Sequence, residues 1–494
     1  MSEFVILTDV YALGYSKSAG AHRLATVLRQ HGVDVQVIDL AARMSKEQLQ
    51  KVLIKFIDIN TKFVGISNTF LNVRFENSLF PNNHSLELLN NFKSLYDFKV
   101  VLGGNRNGTT SVIENDYLNC IDLIVTGFAD KAIVDIYDNY DTLITEEESG
   151  YKILHADKLP YTFNDFHNSE IIWQERDIIL PDEALPIEIA RGCIFRCSFC
   201  FFPLNGAGHS RKYMRSEENI KTELIRNYDQ FGITKYDIMD DLLNDSVEKC
   251  EMLHRIFTSL PFDVKWTGYA RHDLMISHPH TLDLFNESGC TALRFGIETL
   301  NHESGKAIGK GMEPQKTKNG LVWMRENSDI GLGGSFIAGL PHETKDSLKS
   351  MCDWLEDPDC PLHQKQLIVL SIPRVEGREN KSKLMIDPDK YGYKDLNPDN
   401  KNSIEWDNGY FDIYYAREVY NNIWPTLKKH STYISHDAYR LHNIGFNFDQ
   451  VHKAAMGDVI YSNINKLFNP FKDKFVDKIL SINTDIDRLE STCL

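Results

Sequence analysis

The chain has 494 residues, enough for two or three domains and a large core. Apolar residues make up 42% and charged residues 25%, as in an ordinary globular protein. The net charge of −16 argues against non-specific nucleic-acid binding and against docking to an anionic membrane. No apolar run approaches the roughly 20 residues that cross a bilayer. The start, Met1-Ser2-Glu3-Phe4, opens into a strand pattern without a basic leader, so a cytoplasmic protein is expected.

Residues 1–140 alternate strand and helix signals. Apolar runs at 4–7, 35–38, 63–67, 99–102 and 123–127 read as strands, and 20–30 and 46–57 as helices, with Leu24, Val27 and Leu28 on one face of the first. Short apolar strands with helices between them predict a parallel, doubly wound, flavodoxin-like α/β domain. Ligands of such sheets bind beyond the carboxyl ends of the strands. Gly103, Gly104 and Gly127 lie there, where a missing side chain lets a ligand approach the backbone; each also suits an ordinary turn.

Residues 141–184 are polar with few periodic signals and read as a linker. From 185 to 375 the strand–helix unit repeats six times. Strands are expected at 185–190, 234–239, 262–269, 291–297, 331–338 and 366–371, and helices at 216–230, 246–259, 278–288, 313–327 and 343–356. Ser216, Asp245-Ser246 and Pro341-His342-Glu343-Thr344 are helix-start signals. Six units predict a (β/α)6 partial TIM barrel with functional residues at the carboxyl ends of its strands. Residues 376–494 read as a mostly helical region, with helices at 411–427 and 463–480, the second kinked at Pro470. It is rich in aromatics (Trp406, Tyr410, Tyr414, Tyr415, Trp424) and suits either a cap over the barrel mouth or a helical appendage.

The first barrel strand runs into Arg191-Gly192-Cys193-Ile194-Phe195-Arg196-Cys197-Ser198-Phe199-Cys200. The spacing C-x3-C-x2-C is too irregular for one helix face and describes a loop around a small object. Three thiolates can hold three irons of a [4Fe–4S] cubane and leave the fourth iron open, whereas a structural cluster has all four ligated by protein. Structural zinc with His209 as fourth ligand is the competing account, but zinc sites come as two spaced pairs and no second pair lies nearby. Burial as small hydrophobes is the other. The remaining cysteines (Cys120, Cys250, Cys290, Cys352, Cys360, Cys493) are scattered and form no disulfide framework.

The cysteine spacing is similar to that of the radical S-adenosylmethionine (SAM) superfamily. Gly296-Ile297-Glu298-Thr299 resembles its G-I-E-S segment. Phe336-Ile337-Ala338-Gly339-Leu340-Pro341-His342-Glu343-Thr344 resembles a variant of its G-x-I-x-G-x-x-E strand, with Ser335 at the first glycine and the glutamate one residue late. The resemblance spans about residues 185–345. It implies a [4Fe–4S] cluster, SAM cleavage to a 5′-deoxyadenosyl radical, a small-molecule substrate and an electron donor such as flavodoxin or ferredoxin. It further implies that Phe199 packs beside adenine and that Asp240 and Asp241 accept from the SAM ammonium, rather than merely capping the next helix. Arg271 would grip a carboxylate, with a surface ion pair as the plainer alternative. Glu298 and Thr299 would meet ribose or the ammonium, and Ile337 and Gly339 would lie along adenine.

A doubly wound domain ahead of such a barrel resembles the superfamily's cobalamin-binding branch. Gly103-Gly104 followed by Asp122 and Gly127 resembles its G-G…D-x-x-x-x-G-E-x-E stretch, with Phe128-Ala129-Asp130 in place of the acidic tail. The D-x-H-x-x-G loop that ligates cobalt in many B12 proteins is absent, and His22 and His31 read as surface histidines. Cobalamin would imply methyl transfer, or a ring rearrangement or closure. Three accounts stand: a cobalamin-dependent radical SAM enzyme, a cobalamin-independent one with a degenerate N-terminal domain, and a non-catalytic metal-binding protein. A tRNA-modifying role fits poorly with the acidic balance. Tyr391, Tyr393 and Trp406 are candidate substrate contacts.

Overall fold

Short apolar runs build two parallel sheets, each in its own unit. The structure is a computed structural model that describes residues 2–10, 17–67, 84–104, 119–148, 151–156, 169–180, 183–200, 202, 213–375, 381–430 and 472–482. The first unit takes the described residues up to 183 together with 472–482; the second takes 184–430.

The first unit runs β1 (Phe4–Leu7), α1 (Ala19–Gln30), β2 (Val35–Ile38), α2 (Lys46–Phe56), β3 (Phe63–Ser67), α3 (Ser85–Lys93), β4 (Lys99–Gly103), β5 (Leu123–Thr126), α4 (Ala132–Asn139), β6 (Glu146–Glu148) and β7 (Tyr151–His155). The sheet order is β2-β1-β3-β4-β5-β7-β6, parallel except for the β6–β7 hairpin. Its first five positions are the flavodoxin-like order. Strands β1, β2 and β5 are buried along their whole length, as parallel strands covered by helices are. Phe4, Ile6, Val35, Val37 and Phe63 meet Ala21, Ala25 and Leu28 of α1 and Ile133 and Ile136 of α4. Helix α2 starts on a capping box between Ser45 and Gln48.

Two expectations change here. The segment 141–184, expected as a linker, supplies β6 and β7, and its residues 169–180 run along the open edge of β2. Gln36 Nε2 donates to Arg176 O at 3.1 Å, Arg176 pairs with Asp34, and Arg29 donates twice to Asp177 at 2.8 Å. A strap of this kind shields an edge strand. His22, expected at the surface, is 1% exposed, its Nε2 2.9 Å from Asp39 Oδ2 and its ring 4.4 Å from that of Trp173. Helix α1 buries Ala21, Ala25 and Leu28 in the core and His22 and Thr26 against Asp39, Ile172 and Trp173. Lys17 joins the cluster 3.3 Å from Asp39 and 3.8 Å from Glu183. Burial opposes the charge on His22, but the Asp39 and Asp177 carboxylates outweigh it and hold the imidazole above its ordinary value. His31 is exposed, as expected, beside Asp138.

The second unit runs β8 (Leu185–Ile187), α5 (Glu217–Phe231), β9 (Lys235–Ile238), α6 (Val247–Thr258), β10 (Lys265–Ala270), α7 (His272–Ser277), α8 (His280–Glu287), β11 (Cys290–Glu298), α9 (His302–Ile308), α10 (Pro314–Asn327), β12 (Gly331–Ala338), α11 (Lys345–Glu356), β13 (Gln364–Val369), α12 (Lys383–Ile386) and α13 (Ile413–His430). The strands pair in sequence order, β8 to β13, and every pairing is parallel. Sequential order with crossovers of one hand makes a sheet curl into part of a barrel, whereas the first sheet reverses its order and stays open. Ser216 caps α5, Ser246 caps α6, and Thr344 and Ser347 box the start of α11.

Among its described residues the C-terminal region carries the two expected helices, preceded by a stretch of short ladders. Residues 381–412 form α12 and short ladders that pair 372–373 with 403–404 and 394–395 with 406–407. They seal the ends of β12 and β13. Tyr393 Oη donates to Gly339 O at 2.7 Å, Trp406 Nε1 to Leu370 O at 2.8 Å, and Asn408 Nδ2 to Glu343 O at 3.0 Å. Tyr393 and Trp406, expected near the substrate, are 1% and 0% exposed because their polar atoms serve these backbone carbonyls. Helix α13 packs on β13 and α11 and carries Pro425 within it. Of the expected helix 463–480, residues 472–481 are helical, with Phe475, Val476 and Ile479 buried in the first unit; Pro470 lies outside the described residues. No helix among the described residues is long and apolar enough to cross a membrane.

A methyl at Gly339 (φ +99°) would overlap the Trp406 indole, whereas one at Gly392 (φ +85°) would lie 4.0 Å from Asn408 O, an ordinary contact. In urea unfolding, Gly339→Ala should cost about 3 kcal/mol and Gly392→Ala about 1 kcal/mol; equal losses would contradict the Trp406 seal. The raised His22 value means its stabilisation is full below about pH 6.5, the unfolded value, and fades as pH climbs through the folded one. His22→Asn should flatten that part of the stability–pH curve.

Candidate functional site

The cysteine loop leaves β8 on a fixed path. Asp240, just past β9, accepts from the amides of Ile189 at 2.8 Å and Ala190 at 3.0 Å. Its other oxygen lies 2.9 Å from Lys249 Nζ, and both side chains are buried. Gly192 turns the chain at φ +92°. Ser198 donates from its amide to Ile308 O and from its hydroxyl to Ala307 O, at 3.2 and 3.1 Å, and Leu384 N returns a bond to Ser198 O at 2.9 Å. The last turn of α9 and the first turn of α12 therefore brace the loop that carries Cys193, Cys197 and Cys200.

All three cysteines are free and half-buried. Burial pushes the Cys200 thiol up to about 12 and raises Cys193 as well. A thiolate at these positions needs compensating positive charge, which iron supplies. Among the described residues no three His, Cys, Asp or Glu side chains converge on one ion position. Three thiols on one loop can each take one iron of a cubane, whereas a structural zinc needs a fourth protein ligand beside them. The donor set fits the cluster. His209 of the zinc alternative lies outside the described residues.

The other expected residues stand at strand ends of the same sheet, with altered duties. Asp240 is spent on the loop backbone and its lysine. Asp241 is open to solvent yet surrounded by protein atoms, as a side chain in a concave mouth is; desolvation first, then Asp240 and Glu188, raise its carboxyl to about 7. Arg271, past β10, is buried. It closes its Nε and Nη2 on Asp273 at 2.9 and 2.5 Å and aims Nη1 at Cys197 Sγ, 3.9 Å away. Glu298 ends β11 at a register shift, in the left-handed region at φ +70°, a strained conformation common at functional sites. Lys310 Nζ holds it, 2.8 Å from Glu298 Oε1 and 2.8 Å from Gly296 O, and lies 5.7 Å over the Phe199 ring. Thr299 Oγ1 accepts from Asn301 N at 3.0 Å. Ile337 is buried in β12. Gly339 has both backbone groups engaged, its N–H donating to Glu343 Oε2 at 2.6 Å and its carbonyl accepting from Tyr393. Burial pushes the Glu343 carboxyl up to about 8 despite that bond.

Asn244, Lys249 and Lys310 are the residues that sequence reasoning missed. Asn244 clamps the Arg271 backbone with two bonds of 2.8 Å, one to its carbonyl and one from its amide. The signal for Asn244 and Lys249 lay in the polar stretch after β9, read only as a helix cap.

In the first unit, Gly103 ends β4, Gly104 (φ +123°) follows it and Gly127 (φ +79°) follows β5, and a methyl at Gly103 would meet nothing within 4 Å. Asp122 of the same motif bonds Lys93 at 2.6 Å and the Val100 amide at 2.7 Å, joining the two strands. Asp130 pairs with Arg23 at 3.1 Å. His155, at the end of β7, meets Thr126 Oγ1 at 2.9 Å.

Residues 187–355 match the profile of the radical SAM superfamily. The chain is 24% identical over 347 residues to an uncharacterized methyltransferase of Pyrococcus horikoshii, covering 67% of this chain and 71% of that protein. It is 25% identical over 175 residues to a bacteriochlorophyllide d C-12(1)-methyltransferase of Chlorobaculum tepidum, covering 35% of this chain and only 37% of that relative. The radical SAM methyltransferase TsrM of Kitasatospora setae, solved with tryptophan and a SAM analogue, superposes with a TM-score of 0.63 at 15% identity, over 96% of this chain and 100% of that one. A second TsrM structure, with cobalamin and a [4Fe–4S] cluster, superposes at 0.53 and 15% identity, over 78% of this chain and 74% of that one. Residues 187–355 thus form a radical SAM domain, and the chain as a whole shares the fold of TsrM.

Proposed function

We propose that the chain is a radical SAM enzyme whose Cys193, Cys197 and Cys200 each ligate one iron of a [4Fe–4S] cluster, and that it methylates or rearranges a small metabolite with cobalamin held by the N-terminal unit. The observation that carries this reading is the company of the three thiols: one braced loop, at the same strand ends as Asp241, Arg271 and Glu298. When bound, the cluster supplies the electron that splits SAM into methionine and a 5′-deoxyadenosyl radical. The chain's part is to bind and orient. Asp241 offers a carboxylate to the SAM ammonium. Glu298, fixed through Oε1 by Lys310, offers Oε2 to a ribose hydroxyl. Phe199 presents a half-buried ring for adenine. The cluster calls for reducing surroundings, so we place the protein in the cytoplasm with a flavodoxin or ferredoxin as donor.

Cobalamin, when bound, supplies methyl-transfer chemistry that the barrel lacks, and Gly103, Gly104 and Gly127 leave the backbone open to it. TsrM, of like fold, has been solved with cobalamin. A cobalamin-independent enzyme is the second reading. It is favoured by Asp130, which stands in the altered acidic tail and is tied to Arg23, and by His22, which is locked to Asp39.

Anaerobic incubation with methyl-labelled SAM and a reductant, read by mass spectrometry, should yield both deoxyadenosine and S-adenosylhomocysteine. Deoxyadenosine alone would point to the second reading or to a cobalamin enzyme that rearranges without methylating, which the visible spectrum of protein reconstituted with hydroxocobalamin separates; absence of both products would reject radical chemistry. Cys197→Ala should lose the cluster's visible absorption and all deoxyadenosine. Because the Asp241 carboxyl ionises near pH 7, SAM affinity of the cluster-loaded enzyme should weaken as pH falls through 7, by up to about tenfold per unit. Asp241→Asn should be weaker at pH 8 and insensitive over that range; an unchanged pH profile would remove Asp241 from the SAM site.

A further inference from the structure

We infer that Arg271 sets the reduction potential of the cluster, acting as a positioning charge on Cys197 rather than as a carboxylate grip. This rests on Cys197 being an iron ligand. The guanidinium cannot offer its fork to a ligand, because Nε and Nη2 are already closed on Asp273 at 2.9 and 2.5 Å. That leaves the Nη1 side, and Nη1 lies 3.9 Å from Cys197 Sγ. Three restraints hold it there. Asn244 bonds the Arg271 amide and carbonyl at 2.8 Å each, Asp273 fixes the fork, and the Phe195 ring lies 4.2 Å from the guanidinium carbon. Phe195 belongs to the cysteine loop itself, so the cation is stacked on the structure it would tune. The side chain is 8% exposed, so its charge is little screened by water.

A cubane on three thiolates is negative overall and grows more negative on taking one electron from a low-potential donor. A fixed cation beside a ligand sulfur, and an N–H directed at it, favour the reduced form. Asp273 offsets part of that charge from the far side of the guanidinium. The pair therefore gives two handles on one quantity, with opposite signs. A residue that only gripped the SAM carboxylate, or only braced the fold, would not move the potential of the SAM-free cluster in opposite directions through its two members.

The test is an EPR-monitored redox titration of the full-length, anaerobically reconstituted protein without SAM, comparing wild type with Arg271→Gln, Arg271→Lys and Asp273→Asn at matched iron and sulfide content. Arg271→Gln should make reduction about tenfold less favourable, about 59 mV more negative for a one-electron couple. Arg271→Lys should shift less, and Asp273→Asn should shift in the positive direction. Unchanged potential in Arg271→Gln, or shifts of like sign in Arg271→Gln and Asp273→Asn, would overturn the inference. Should Arg271→Gln hold no cluster, Asp273→Asn decides: a positive shift supports the inference, and an unchanged or negative one overturns it. Wild-type protein that assembles no four-iron cluster overturns the ligation reading and this inference together. A cluster whose potential ignores both substitutions overturns the inference alone.

Discussion

The two amide hydrogens of Ile189 and Ala190 that Asp240 accepts determine where the cysteine loop departs from its strand. A carboxylate this deeply buried is tolerable only with a partner, and the equally buried Lys249 provides it while also donating to Leu242 O at 2.7 Å. The acid that looked like a ligand contact thus joins the first two barrel strands at their carboxyl ends. The next residue, Asp241, is left to face outward. Adjacent residues on one turn divide the work, one for structure and one for the mouth.

The same economy recurs along the sheet. Arg271 is pinned by Asn244 and Asp273, Glu298 is held in a strained conformation by Lys310, and Gly339 is locked by Glu343, Tyr393 and Trp406. Each group at a strand end is immobilised by a neighbour that itself need touch no ligand. Such preorganisation is what a site must have when it binds a flexible sulfonium and then commits a reactive radical. In the first unit, the buried ions around Asp39 and Asp177 do comparable work, fastening the strap of residues 169–180 to the edge of the sheet.

Much of this was legible in the sequence, for identifiable reasons. Buried parallel strands are short apolar runs, so Phe4–Leu7, Val35–Ile38 and Gly331–Ala338 could be read directly. Topology then dictates that Cys193, Asp241, Arg271 and Glu298 share one end of a sequentially paired sheet. Side-chain direction is not written in such runs. Position located Asp240 and Arg271 correctly, but only the fold shows that one is turned to the backbone and the other to a sulfur. Trp406 and Tyr393 misled because an aromatic in a loop reads as a binding residue until a strand end is found beneath it. The hairpin at 146–155 escaped because three consecutive glutamates give an edge strand no apolar signal. His22 was misplaced because the strap that covers its side of α1, with Trp173 and Asp177, carries no periodic signal that would show a second buried face.

The claim at the centre of this account is that one iron of the cluster is left for SAM. Electron–nuclear double resonance on the reduced protein, with SAM carrying nitrogen-15 in its amino group, tests it most directly. The account predicts a nitrogen-15 coupling to the cluster, absent when unlabelled SAM replaces the labelled cofactor. A cluster that shows no such coupling with SAM bound, or protein that holds only tetrahedral zinc, would contradict it.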